Sequence, residues 1–231
     1  MRKLFYLLMI IVGTDVYSQD TELPDFTALD SLYREDQFYV GFTYNILQKR
    51  PEGVRQNKFS MGLSAGFLRD MPVNKKRTFS IAAGLGYSLN NFNHNLQIAK
   101  IGDDDATYGI IGQNARYDKN KMILHYIDLP IEIRWRTSTP ESHRFWRVYT
   151  GFKVSYLFFD NYKFKGSGGD YAIDGNPDLN KFLYGAYLAT GYNTWNFHIY
   201  YGINPIFKSA RLNNQPIDMH TLNVGLMFYI L

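Results

Sequence analysis

Five histidines, at positions 94, 125, 143, 198 and 220, are the side chains of this sequence best suited to moving a proton near neutral pH. There is no cysteine, so thiol nucleophiles, thiolate metal sites and disulfide frameworks are excluded. The residues are read as holding no His-Glu-x-x-His pair, no nucleophile elbow and no close set of histidine and carboxylate ligands. Ester hydrolysis driven by His125 would want a serine two residues on, where a strand returns to the same face, and that position is Ile127. His198, between Asn196 and Tyr200, reads as a hydrogen-bonded filler. The chain is therefore read as non-enzymatic, with no catalytic residue, no cofactor and no metal site.

The remaining chemistry is electrostatic. Asp128, Glu132, Arg134 and Arg136 recur at even positions along "HYIDLPIEIRWR" (125–136), and Arg147, Tyr149, Lys153 and Ser155 do so at odd positions of the next apolar segment. Between the first set lie Ile127, Leu129, Ile131, Ile133 and Trp135. A period of two marks a strand whose faces meet different surroundings. Charges sharing one confined face must be paired to be tolerated. Asp128, Glu132, Arg134, Arg136, Arg147 and Lys153 are thus expected to form a structural charge network.

Those two segments belong to a set of eight with the same alternation: 38–47, 58–70, 78–90, 122–136, 144–158, 180–192, 195–207 and 219–231. The connections run 10, 7, 31, 7, 21, 2 and 11 residues, long and short in strict turn. Long loops therefore gather at one end and short turns at the other, as in an up-and-down barrel. One face of the strands is bulky and apolar (Phe38, Phe42, Ile81, Leu85, Phe197, Leu226), and the other small or polar (Gly41, Asn45, Gly84, Gly86, Asn196, Asn223). An eight-stranded barrel is only wide enough inside to be filled by side chains. The bulky face cannot fit there, whereas the Gly, Ser and charged face can. The expectation is an all-β, eight-stranded antiparallel up-and-down transmembrane β-barrel with its apolar wall toward lipid.

The first residues fit that destination. Arg2 and Lys3 precede an apolar run to Val12 and a small polar end at Ser18-Gln19, the pattern of a secretory signal peptide over 1–19. Residues 20–37 form an acidic leader, expected in the periplasm with both termini, and 38–231 the barrel of an integral outer-membrane protein of a Gram-negative bacterium. The chain's net charge of +4 becomes +3 once Arg2, Lys3 and Asp15 are removed, too little for a nucleic-acid surface. Lys49, Arg50, Arg55 and Lys58 cluster at the expected outer rim, where they could contact lipopolysaccharide phosphates. The acidic loops 101–106 and 169–178 lack the spacing of a calcium loop, and "KGSGGD" (165–170) reads as flexible linkage.

"YIDLPIEIRWR", the turn "TSTPESH" and the following "FWRVYTGFKVSYLF" together resemble the PorT-type barrels of the type IX secretion and gliding system. The Leu129-Pro130-Ile131 step is shared with a wider group of outer-membrane β-barrels. The resemblance spans Phe38 to Leu231 and implies a non-enzymatic part in exporting proteins that carry a sorting domain, with other secretion proteins as partners. It brings no catalytic residues. A free-standing structural or adhesive barrel, binding ligands through its long loops, is the alternative.

Overall fold

The computed structural model describes residues 36–56, 58–101, 105–112, 115–137, 145–166 and 169–230. The expected signal peptide, the leader through residue 35, His143 and the acidic residues 102–104 lie outside the described residues. Among the described residues the strands are, in order, β1 (Gln37–Gln48), β2 (Met61–Pro72), β3 (Phe79–Asn93), β4 (Leu96–Ile101), β5 (Asp105–Ile110), β6 (Tyr117–Arg136), β7 (Trp146–Gly166), β8 (Gly169–Asp174), β9 (Phe182–Tyr192), β10 (Trp195–Gly202), β11 (Arg211–Leu212), β12 (Gln215–Pro216) and β13 (His220–Ile230). Eight of these close into an antiparallel barrel in the order β1, β2, β3, β6, β7, β9, β10, β13, with β13 returning to β1. Closure leaves no sheet edge within the wall, which lipid could not satisfy with hydrogen bonds.

The two faces follow the alternation. Along β6, Asp128, Glu132, Arg134 and Arg136 are buried in the lumen, while Ile127, Leu129, Ile131, Ile133 and Trp135 are exposed on the wall. Phe38, Phe42, Ile81, Leu85, Phe152, Leu188, Phe197 and Leu226 extend the apolar wall around the barrel. The lumen is narrow enough that glycine becomes a requirement. A Cβ on Gly86 would collide with the Tyr39 hydroxyl, and one on Gly151 would lie 2.6 Å from Tyr187 Cζ.

All three tryptophans, Trp135, Trp146 and Trp195, stand at the short-turn end of the wall, Trp146 packed on Tyr192 at 5.6 Å and Trp195 on Phe228 at 5.0 Å. The opposite boundary is built by a β-bulge. Register slips between His125 and Tyr126, leaving Phe158 as an extra residue of β7, so Phe158 and Phe159 both face outward. Their rings meet His125, and Tyr87 donates or accepts a 2.7 Å hydrogen bond at His125 Nδ1. Between Ile127 and Trp135 the wall strand has the length needed to cross a bilayer, about nine to eleven tilted residues.

Beyond this boundary the alternation inverts. Met122 and Leu124 of β6 and Tyr162 and Phe164 of β7 are now the buried, inward residues, and Lys119, Lys121, Lys163 and Lys165 take the outward positions. The inward residues join the loops in a second core: Leu96 and Ile98 from β4, Ile173 from β8, and Ile206, Phe207 and Ile217 from the β10–β13 connection. The long connections are thus a folded apolar cap over the barrel mouth, with their own hairpins β4–β5 and β11–β12. This differs from the loop expectations. Lys165 of β7 pairs with Asp170 of β8 and Gly166 with Gly169, the residues 167–168 between them lying outside the described residues, and Asp178 accepts from Tyr108 Oη at 2.9 Å and Ser209 Oγ at 2.5 Å, knitting connections together.

Candidate functional site

The lumen is organised in storeys. Nearest the short turns, Asp70 of β2 accepts from Arg134 Nη1 at 3.2 Å and Arg136 Nη2 at 2.8 Å, and from Ser80 Oγ at 2.6 Å. Glu132 accepts from Arg134 Nε at 2.7 Å on one oxygen and from Tyr187 Oη at 2.9 Å on the other. Arg134 also lies over the Tyr149 ring at 4.8 Å. Asp70, Arg134 and Arg136 are 0% exposed, so each charge depends on its partners rather than on water.

One storey up, Lys153 Nζ donates to Asp128 at 3.0 Å and Ser155 Oγ donates to it at 2.5 Å, with Lys153 above the Tyr200 ring at 4.6 Å. Between these groups lies a cavity of about 40 Å³, lined by Asp128, Glu132, Lys153, His198 and Tyr200 among others, with room for about three waters. Above it Tyr126, Leu124 and Leu157 begin the apolar cap.

The six charges expected in the lumen all point there, but they do not form one network. Arg134 and Glu132 join Asp70 and Arg136 in one group, and Asp128 pairs with Lys153 in another. Arg147 instead donates to the Asn193 carbonyl at 2.8 Å and stacks on Phe145 at 4.4 Å. Asp70, the acceptor for two arginines, was not anticipated. It continues the inward row Gly62, Ser64, Gly66, Leu68, but its pairs are more than sixty positions along the chain.

His198, expected as a hydrogen-bonded filler, faces the lumen cavity. It is buried against the Tyr187 ring at 5.7 Å, and its Nδ1 has no protein partner among the described residues. Against the expectation of no nucleophile elbow, Gly62-Leu63-Ser64-Ala65-Gly66 has its letters, but the segment lies within strand β2 and not on a strand-to-helix turn, and no hydrogen bond joins Ser64 to His198 among the described residues. Among those residues, too, no group of three or more histidines, cysteines and carboxylates is arranged to hold a metal ion.

The rim cations separate. Lys49 turns to Asp218 at 3.5 Å and His220 at 3.3 Å, beside β13, whereas Lys58 donates to the Asp118 carbonyl at 2.7 Å, beside β6. Arg50 and Arg55 are exposed on the loop between them.

Comparison with known proteins decides the broader placement. The family described as "Outer membrane protein beta-barrel domain" matches residues 17–208. This chain belongs to that family. As a member of the outer membrane protein β-barrel family it is an integral outer-membrane protein, and the exposed apolar wall is its lipid surface. No curated protein matches the chain. Among solved structures it is similar to Ail, the attachment invasion locus protein of Yersinia pestis, in complex with the heparin analogue sucrose octasulfate (12% identity, 86% of this chain and 100% of that one, TM-score 0.39). It is also similar to a triple mutant of the Rhodopseudomonas blastica porin (10% identity, 86% and 100%, TM-score 0.21). Similarity at this level carries no argument about function.

Proposed function

We propose that this barrel is a non-enzymatic component or assembly factor of the type IX protein secretion machinery, working in the export of sorting-domain proteins and in gliding. The observation that carries the mechanism is the double closure of the lumen. Buried ion pairs fill one end and an apolar cap roofs the other, so solute passage through the barrel is disfavoured and contacts through the wall, the cap and the leader are favoured. The assignment to this machinery follows the PorT resemblance, whose "YIDLPIEIRWR" segment forms the membrane-crossing part of β6. In this reading residues 1–19 are a signal peptide, 20–37 lie in the periplasm with both termini, and the cap faces outward. Lipopolysaccharide is the lipid partner, met in part by Lys49, Arg50, Arg55 and Lys58.

A free-standing adhesive barrel is the second reading. It is favoured by the cap itself, because hairpins on a shared core present a preorganised surface rather than separate loops. A clean deletion separates the two. Sorting-domain proteins lost from the medium, with outer-membrane permeability unchanged, is the expected result. Normal secretion in the deletion strain would remove the export role and leave adhesion.

A further inference from the structure

The outward face of the β6–β7 hairpin changes character just beyond the aromatic boundary. Lys121 stands directly opposite Lys163, and Lys119 directly opposite Lys165, so the register sets four ammonium groups in a two-by-two array. Lys58 reaches the same hairpin through the Asp118 carbonyl. Like charges directly across an antiparallel pair destabilise it. Lys165 is relieved by Asp170 at 3.6 Å, and Asp174, the next outward carboxylate of β8, is engaged by the Asn161 amide. Among the described residues Lys119, Lys121 and Lys163 have no carboxylate partner. Partial burial, and then Lys119 and Lys163, hold the Lys121 ammonium below its ordinary range. The array is poorly compensated within the protein, which favours an external anion.

Its height on the wall says which anion. Lys121 is four residues beyond His125 on the same outward row, about 10 Å along the barrel axis for a tilted strand. A lysine arm can bend back toward the membrane surface from there, bringing its charge to the headgroup layer that flanks the roughly 30 Å hydrocarbon core. Directly below on the row come Ile123, His125 and then the lipid wall from Ile127. A molecule bound at this array by phosphate would lay its acyl chains along that wall, which a soluble anion or a glycan would not use.

We propose that Lys119, Lys121 and Lys163, with Lys58 at their edge, form a binding face for the phosphates of outer-leaflet lipopolysaccharide. The inference rests on the cap facing the cell exterior and not on the secretion role.

The test uses full-length folded protein in detergent micelles, titrated with phosphorylated lipid A, enzymatically dephosphorylated lipid A, inorganic phosphate and heparin. The triple variant K119Q/K121Q/K163Q is expected to bind phosphorylated lipid A on the order of 100-fold more weakly than the parent, from about 1 kcal/mol per near-surface lysine. The parent is expected to discriminate against dephosphorylated lipid A by a similar factor. K121Q alone should make the ligand-free barrel more heat-resistant, since it removes repulsion, and make the lipid-loaded barrel less so. Equal affinity of parent and triple variant for phosphorylated lipid A would overturn the proposal, as would tighter binding of heparin than of lipid A through the same lysines, or competition by inorganic phosphate as strong as by lipid A. Labelling of K163C on intact cells by a membrane-impermeant maleimide reads orientation separately. Labelling only after lysis removes the orientation and the inference together, whereas surface labelling without lipid A binding removes the inference alone.

Discussion

At the scale of single residues, stability is concentrated in groups that have no access to water. Removing Asp70 takes from Arg134 one of two carboxylates, leaving Glu132, and takes from Arg136 the carboxylate it meets at 2.8 Å, both on side chains with no solvent exposure. Asp70→Ala is expected to cost about 3–5 kcal/mol, measured as the shift of the urea unfolding midpoint in lipid vesicles. Lys153→Met should cost less, because the Asp128 left behind keeps the Ser155 hydroxyl and borders the cavity with room for water, whereas Asp70 serves two arginines at once. If the two variants unfold alike, the charges nearest the short turns hold the lumen no more firmly than the Asp128–Lys153 pair. Parity alone told which way Asp128, Glu132, Arg134 and Arg136 point, since a strand allows only two directions. Partner choice was not legible, because parity fixes a face while pairing depends on strand neighbours far along the chain. Asp70 is not visible to parity for that reason, and Arg147, expected in the network, pairs with the Asn193 carbonyl and the Phe145 ring.

At the scale of elements, the membrane-crossing parts of the eight strands could be read because each repeats one contrast, large against small, with period two. Their extensions could not. Beyond His125 the same alternation continues with its chemistry reversed, Lys119 and Lys121 outward and Met122 and Leu124 inward, so the pattern that locates the wall falls silent where the protein leaves it. The cap was equally hidden, since Ile98, Phe207 and Ile217 have no periodicity among themselves and meet only in space. One of its buried members carries a pH dependence. His94 stands beyond the boundary, its backbone carbonyl held by the Asn120 amide at 2.7 Å, and burial pushes its ring down to about 4 from 6.5. The opened cap therefore takes up a proton that the closed cap refuses. Cap stability is complete above pH 6.5, declines as pH falls, and has lost about 3 kcal/mol by pH 4. Amide exchange of Leu96 and Ile98 is expected to slow less between pH 7.5 and 5 than the base-catalysed intrinsic rate does, by a factor of about 30. His94→Phe should flatten that response, and an unchanged profile in the variant would show that another group titrates.

At the scale of the whole molecule, two features set the barrel in its membrane: tryptophans at one rim and the bulge-built aromatic cluster at the other. Trp135, Trp146 and Trp195 share one depth, so bromine placed just below the headgroups should quench their fluorescence strongly, and bromine at the bilayer centre weakly. Equal quenching at both depths would contradict a girdle. Closure has a further consequence, and it concerns time. Phe38 lies opposite Ile230 and Gln48 opposite His220, so the first and last strands of the wall must find each other across nearly the whole chain. Every other seam joins neighbours in the barrel sequence, and these can form early as hairpins. Contacts so distant along the chain are slow to form. Until the last seam zips, β1 and β13 each present a row of unsatisfied amides and carbonyls that invite the wrong partner. The stage most in need of an escort is thus not unfolding of the finished barrel but the interval when seven seams are made and the eighth is still open.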